Sequence, residues 1–119
     1  MPAPLRRAPA DQVHAALARI DAGSGTDADR RLMVKHFLAV LTERAPGASV
    51  EVRVPPYAVA QCVAGTRHTR GTPPAVVEVD VVTWIAICTG RQTWDAAVDS
   101  GRVIATGERS DLSPLFPLG

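Results

Sequence analysis

The chain has 119 residues, of which 46% are hydrophobic and 21% are charged, and its formal net charge is +1. This composition is typical of a globular protein, and the length predicts one domain over residues 1–119. The net charge of +1 gives no electrostatic footprint for nucleic acid, which requires a basic stripe, so we expect no nucleic-acid partner. The sequence has no apolar run of membrane-spanning length and no apolar segment of a secretory signal at its start, so we expect a cytoplasmic protein.

Two helices are predicted between residues 10 and 47, after a Pro- and Ala-rich start at 1–9 that we expect to be flexible. Apolar residues repeat at helical spacing in the first helix, which stops at Gly23. A cap at Thr26 precedes the second helix, which ends at Pro46 and Gly47. The predicted buried stripe of the second helix comprises Met33, Phe37, Val40 and Leu41.

The hydrophobic period then changes from helical to alternating. Val50, Val52 and Val54 alternate with polar residues, which predicts a half-buried strand. The apolar segment 58–64 predicts its hairpin partner, and the β-branched segment 75–80 predicts a third strand.

Two short helices follow, with caps at Asp80 and Thr93 and stops at Gly90 and Gly101. "RVIATG" predicts a fourth strand, and Ser110 is expected to cap a final short helix over "DLSPLFPL". Because the strands are largely segregated from the helices, the order predicts an α+β fold with helices packed on one face of a sheet.

Sequence motifs for catalysis or cofactor binding are missing: there is no P-loop, dinucleotide fingerprint, zinc pattern or nucleophile elbow. We therefore predict no cofactor, no metal and no catalytic residue. Cys62 and Cys88 lie in apolar runs, which favours buried free thiols over a disulfide or a metal site. His14 and His36 lie on different predicted helices, and we interpret them as surface or boundary residues.

The stretch "RHTRGTPP", residues 67–74, is the most functional-looking segment. Arg67, His68 and Arg70 offer hydrogen-bond donors suited to a carboxylate or phosphate, which makes them candidate residues for an anionic head group. The alternative is a stiff strand connector whose arginines pair with nearby carboxylates.

Two further pairs of residues allow more than one interpretation. Glu78 and Asp80 point the same way from one strand and could form an acid/base pair, although Asp80 has a sufficient role as a helix cap. Trp84 and Trp94 lie on consecutive short helices, and one of them could line a ligand cavity; the alternative is that both are core residues.

The C-terminal half resembles the sterol-carrier-protein-like superfamily. The resemblance covers about residues 49–117 and is carried by Asp80, Thr89-Gly90, Gly101-Arg102-Val103 and Gly107. "VEVRVPPYAVAQCVAGTRHTRGTPPAVVEVD" looks more specifically like the bacterial, actinobacterial branch of that superfamily.

This resemblance implies a curved, mostly antiparallel sheet of four to five strands with an apolar tunnel under helices on one face. Relatives hold sterols, fatty acids or acyl-CoA in such a tunnel without catalytic residues. The residues expected to line an apolar pocket here are Trp84, Ile87, Cys88, Val98, Leu112, Leu115 and Phe116.

The leading hypothesis is a non-enzymatic carrier of an apolar or amphipathic small molecule. The alternative is an interaction module with a filled core, whose sheet edge or final helix binds another protein or a second copy as a homodimer. A third hypothesis is an enzyme that uses Arg67, His68 and Glu78, which requires these three residues to converge in a cleft.

The head-group hypothesis makes a direct prediction. Arg70→Ala is expected to weaken binding of an acyl-CoA and to leave the affinity for an uncharged sterol unchanged, because the guanidinium contacts only the anion. Titration of both ligands into the wild type and the variant measures this. Equal affinities of the two proteins for the acyl-CoA would contradict the role of Arg70.

Overall fold

The computed structural model describes residues 5–65 and 75–119. The elements in chain order are helices α1 (Ala10–Asp21) and α2 (Asp27–Arg44), strands β1 (Val50–Val54), β2 (Ala58–Cys62) and β3 (Ala75–Val79), helices α3 (Val81–Cys88) and α4 (Trp94–Asp99), strand β4 (Val103–Thr106) and a 3-10 turn (Ser113–Leu115). None of the helices in these ranges is both long and apolar enough to cross a membrane.

Helices α1 and α2 are joined by a buried carboxylate at the start of α2. The Thr26 hydroxyl accepts from the backbone N–H of Asp29, and the Asp29 carboxylate accepts from the backbone N–H of Thr26, which completes a capping box. Arg19 of α1 donates two hydrogen bonds of 2.9 and 2.7 Å to the same carboxylate. The bonds from Arg19, followed by those from Thr26, hold the pKa of Asp29 well below its usual range.

The second helix is buried on a wider face than the sequence predicts. Met33, Phe37, Val40 and Leu41 are buried as predicted, and the buried set also includes Val34, Leu38 and Ala39. The extra burial arises because α2 packs against α1, β2 and α3. A single helical stripe can face only one of these neighbours.

The four strands form one mixed sheet in the order β2-β1-β3-β4. The β1–β2 and β3–β4 pairs are antiparallel, whereas β1 and β3 are parallel. The α+β class, the four strands and the mostly antiparallel pairing are therefore confirmed. Strand β2 returns the chain to the end of the sheet at which β1 begins, and β3 then lies on the far side of β1 and runs parallel to it.

The two faces of the sheet differ in polarity. Val52 pairs with Ala60 and Val77, and all three residues are buried against the helices. On the opposite face, Arg53 pairs with Val59 and Glu78, which are exposed. This alternation places the apolar core on the helix side of the sheet, as the strand patterns predict.

Close backbone contacts hold together the open end of the β1–β2 hairpin, which lies opposite its turn. Val63 has a positive φ of 66°, so β2 ends at Cys62 rather than at the predicted residue 64. Its carbonyl oxygen accepts from both the backbone N–H and the hydroxyl of Ser49. Gly47 packs directly against the Val63 peptide, and only a residue without a Cβ fits there.

The final helix predicted over residues 111–118 is wrong. The structure has one 3-10 turn, Ser113–Leu115, and the Ser110 hydroxyl donates to the carbonyl oxygen of Gly107 instead of capping a helix. Pro117 has no N–H to donate and pushes the preceding Phe116 into an extended conformation. The segment that follows β4 is therefore largely irregular.

Substitutions at two glycines distinguish the free-energy cost of backbone strain from the additional cost of steric overlap. Gly47 has a φ of +146°, and a Cβ added there would lie 2.2 Å from the carbonyl oxygen of Val63. Gly23 has a φ of +80°, and a Cβ added there would meet nothing within 4 Å. We expect Gly47→Ala to lower the free energy of unfolding by about 3 kcal/mol and Gly23→Ala by about 1 kcal/mol. Urea denaturation of both variants measures this, and equal losses would contradict the close approach.

Candidate functional site

The apolar candidate residues divide into a buried group and a half-exposed group. Trp84, Ile87 and Cys88 on α3 have no exposed surface, and Leu112 is 2% exposed. Leu115 and Phe116 are partly buried against the same core. Val98 on α4 is 37% exposed and lies apart from the α3 residues.

Three aromatic rings form the centre of this region. The Phe116 ring lies 5.4 Å from the Trp94 ring, with which it stacks, and 5.8 Å from the Trp84 ring, which it meets edge to face. Both arrangements are favourable for aromatic pairs. Phe116 thus fills the space between the two tryptophans.

A cleft of about 290 Å³ opens over this ring stack, and we call it the Phe116 cleft. Its lining residues are Ile87, Gly90, Gln92, Thr93, Trp94, Asp95, Ser113, Phe116 and Pro117. Ile87 and Phe116 are the predicted pocket residues among them, whereas Trp84 lies behind Phe116 and does not line the cleft. The Phe116 ring therefore separates the cleft from Trp84.

A second cleft of about 440 Å³ lies on the other side of Trp94. Val98 lines it together with Ala105 and the acidic residues Asp95, Asp99 and Asp111. Trp94 and Asp95 line both clefts. The scarcity of aromatic residues in the sequence already indicated that Trp94 could line a cavity, although it is absent from the predicted pocket residues.

Trp84 carries an unsatisfied polar group. Its Nε1 is buried and has no hydrogen-bond partner among the residues that the structure describes. A buried polar group without a partner carries a desolvation cost, and natural proteins contain few of them. This indole N–H is therefore a donor for which the described residues provide no acceptor.

The segment that carries Phe116 is held by hydrogen bonds at its C-terminal end. The carbonyl oxygen of Cys88 accepts from the backbone N–H groups of Leu118 and Gly119, at 2.9 and 3.1 Å. Arg44 of α2 donates to the carbonyl oxygens of Pro117 and Leu118. Phe116 itself makes one longer backbone bond, of 3.3 Å, to Ser113.

The carboxylates Glu78 and Asp80 line a third cleft, together with Arg102. Asp80 caps α3, since its two carboxylate oxygens accept from the N–H and the hydroxyl of Thr83, both at 2.8 Å. The structural role predicted for Asp80 is confirmed. Arg67, His68 and Arg70, which the anion-site and enzyme hypotheses require, lie outside the described residues.

The two cysteines are buried and free, as the sequence predicts. Burial raises the pKa of Cys62 to about 11 and also raises the pKa of Cys88 well above its usual value. Both thiols therefore stay protonated and unreactive at neutral pH. Within residues 5–65 and 75–119, no three His, Cys, Asp or Glu side chains come together as a metal site.

A fourth groove, of about 500 Å³, is lined by His14 and His36, for which the sequence predicted no common site. His14 of α1 and His36 of α2 line it with apolar residues that include Phe37 and Leu118. The backbone N–H of Ala8 donates to Nδ1 of His36 at 2.9 Å, and Arg7 pairs with Glu43. These contacts attach the segment before α1 to α2.

Helices cover one face of a mixed four-stranded sheet, and a short C-terminal segment packs over a cluster of aromatic rings. This architecture is that of a sterol-carrier-protein-like fold. The family described as bacterial SCP ortholog matches residues 27–118, and the chain belongs to this family. The match begins at α2 and includes both clefts beside Trp94. No curated protein matches the chain significantly.

Family membership suggests a lipid-binding carrier role, and domains of this type are generally non-catalytic carriers. The resemblance inferred from the sequence is thereby confirmed at the level of the family. Fold and family do not by themselves identify a ligand, which has to be argued from the site.

The contact between Ala8 and His36 predicts a pH dependence of stability. Burial lowers the pKa of His36, and the nearby Arg7 lowers it further against an opposing effect of Glu43. The neutral ring accepts from Ala8, so its stabilising contribution is complete above the unfolded-state pKa of about 6.5. It is lost as the pH falls through the lower folded-state pKa.

We therefore expect the free energy of unfolding to fall between pH 7.5 and pH 5.5, as measured by urea denaturation. His36→Asn keeps an acceptor at this position without titrating and should reduce the pH dependence. His14→Gln is the matched control on the other side of the groove. If the free energy of unfolding of His36→Asn depends on pH as strongly as that of the wild type, the effect arises from other groups.

Proposed function

We propose that this protein binds and carries an apolar or amphipathic small molecule, such as a lipid, a fatty acyl group or a sterol-like compound, without catalysing a reaction. The ligand enters through the Phe116 cleft and takes the place of the Phe116 ring. Membership of a carrier family supports the general role. The ring stack of Phe116 with Trp84 and Trp94 is the observation that supports this particular site.

The closed arrangement explains why ligand binding requires a movement. Trp84, Cys88 and Leu112 have at most 2% of their surface exposed and do not line the Phe116 cleft in this conformation. Phe116 is the residue that both touches Trp84 and lines the cleft. Rotation of its ring toward solvent would therefore connect the cleft with the buried residues.

The backbone around Phe116 allows such a rotation without the loss of a helix or a strand. The residue follows a single 3-10 turn and belongs to no helix or strand. The hydrogen bonds from Leu118 and Gly119 to Cys88 hold the end of the segment in place while the ring moves. An apolar ligand that replaces the ring restores the buried apolar contact area, which is the main driving force for binding in such sites.

The predicted pocket residues then have separate roles. Trp84, Ile87, Cys88 and Leu112 form the deep wall, and Leu115 and Phe116 belong to the segment that moves. Val98 contributes only to a ligand long enough to pass Trp94 into the second cleft, because its own cleft lies on that side.

The alternative function is a protein-interaction module with a permanently filled core. The nearly complete burial of four of the seven predicted pocket residues is the observation that favours it. The two functions differ in one measurable property: a carrier opens at Phe116 and takes up an apolar probe, whereas a filled module does not.

Phe116→Ala tests the carrier function by removing the ring that the ligand must displace. We expect the variant to bind the neutral fluorescent probe N-phenyl-1-naphthylamine about tenfold more tightly than the wild type, since the binding-competent space is then always available. Fluorescence titration measures the dissociation constants.

Val59→Ala is the control, because Val59 is an exposed apolar residue on the opposite face of the sheet and does not line the cleft. Its affinity for the probe should stay close to that of the wild type. If neither the wild type nor Phe116→Ala binds the probe, the carrier function fails. Native mass spectrometry of the purified protein would then test the interaction module through its oligomeric state.

A further inference from the structure

We infer that the ligand space behind Phe116 selects a neutral amphiphile, whose hydroxyl or carbonyl oxygen accepts a hydrogen bond from Nε1 of Trp84. This inference rests on the proposed function and adds the chemical class of the ligand. It is carried by two independent features of the site: an unpaired buried donor and the distribution of charge around the cleft.

The unpaired donor is the first feature. Trp84 has no exposed surface, and its Nε1 has no hydrogen-bond partner among the described residues. An indole N–H can only donate, so the group that satisfies it must supply an acceptor oxygen or nitrogen. A purely apolar ligand would leave the indole N–H unsatisfied, as it is in the closed state.

The charge around the site is the second feature. Asp95 is the only ionisable side chain among the described residues that line the Phe116 cleft. The nearby arginines have other partners: Arg44 binds the carbonyl oxygens of Pro117 and Leu118, and Arg91 pairs with Asp21. A carboxylate placed beside Trp84 would have no cationic partner among the described residues that line the cleft, and a buried charge without a partner is strongly unfavourable.

The shape of the site is consistent with the same class of ligand. The apolar body of the ligand would stack on Trp94 in the place that Phe116 now occupies, 5.4 Å from that ring. Its outer end would reach the polar rim formed by Gln92, Thr93 and Ser113. The ligand that fits this site therefore has an apolar body and one neutral hydrogen-bond acceptor, which is buried in the complex.

A matched series of three small probes tests this inference: 4-phenyl-1-butanol, butylbenzene and 4-phenylbutanoate. They share one apolar body and differ in carrying a neutral acceptor, no acceptor or a negative charge. We expect 4-phenyl-1-butanol to bind the wild type most tightly at pH 7.5. Trp84→Phe removes the donor and keeps an aromatic ring, so it should weaken 4-phenyl-1-butanol by about 5- to 10-fold and leave butylbenzene unchanged.

A spectroscopic readout in the wild type does not depend on the folding of the variant. The indole N–H of Trp84 gives one of two indole signals in a ¹⁵N-labelled sample, and the Trp94→Phe variant identifies it by removing the other signal. The proton of the Trp84 indole should move downfield with 4-phenyl-1-butanol, because it enters a hydrogen bond, and should not do so with butylbenzene.

The outcomes distinguish this inference from the proposed function. Equal binding of the alcohol and butylbenzene without a downfield shift of the Trp84 signal would overturn the inference and leave the carrier function standing. Tighter binding of 4-phenylbutanoate would overturn it in favour of an anion site. If no probe binds either the wild type or Phe116→Ala, the proposed function fails together with the inference.

Discussion

The attachment of the C-terminal segment to the end of α3 is the constraint on which the site depends. Helix α3 is apolar on nearly every side, and α2 covers only part of it. The residues around Phe116 and Leu118 cover the surface of α3 near Trp84 and Cys88, and the carbonyl oxygen of Cys88 and the guanidinium of Arg44 hold these residues in place. Without this attachment, Trp84 would be exposed and the Phe116 cleft would not exist.

The same attachment buries Trp84, but the indole N–H of Trp84 then has no hydrogen-bond partner among the described residues. The ring of Phe116 buries the apolar surface of Trp84 and Trp94, yet it cannot accept a conventional hydrogen bond from the indole of Trp84. A ligand with an apolar body and an acceptor can do both. The filled core and the proposed carrier function are therefore compatible, provided that the ligand replaces a side chain instead of entering an open tunnel.

Much of the fold could be predicted because its signals are local. The caps at Thr26, Asp80 and Thr93 and the alternation of β1 depend on neighbouring residues alone, and the structure confirms all of them. The predicted final helix failed because Pro117 interrupts a segment too short to complete α-helical hydrogen bonds. The residues of the candidate pocket could be proposed in part, since aromatic residues are scarce and α3 is strongly apolar.

The sequence by itself determined the α+β class, the family, the ends of most elements and the burial of Cys62 and Cys88. Only the tertiary structure decided that β1 pairs in parallel with β3, because the partners of a strand are distant in sequence and the alternating pattern is the same for either pairing. It also decided that Phe116 lies between two tryptophans 22 and 32 residues away and that the Trp84 indole has no acceptor among the described residues. Such contacts depend on how separate elements pack together, and the local pattern of residues does not determine that packing.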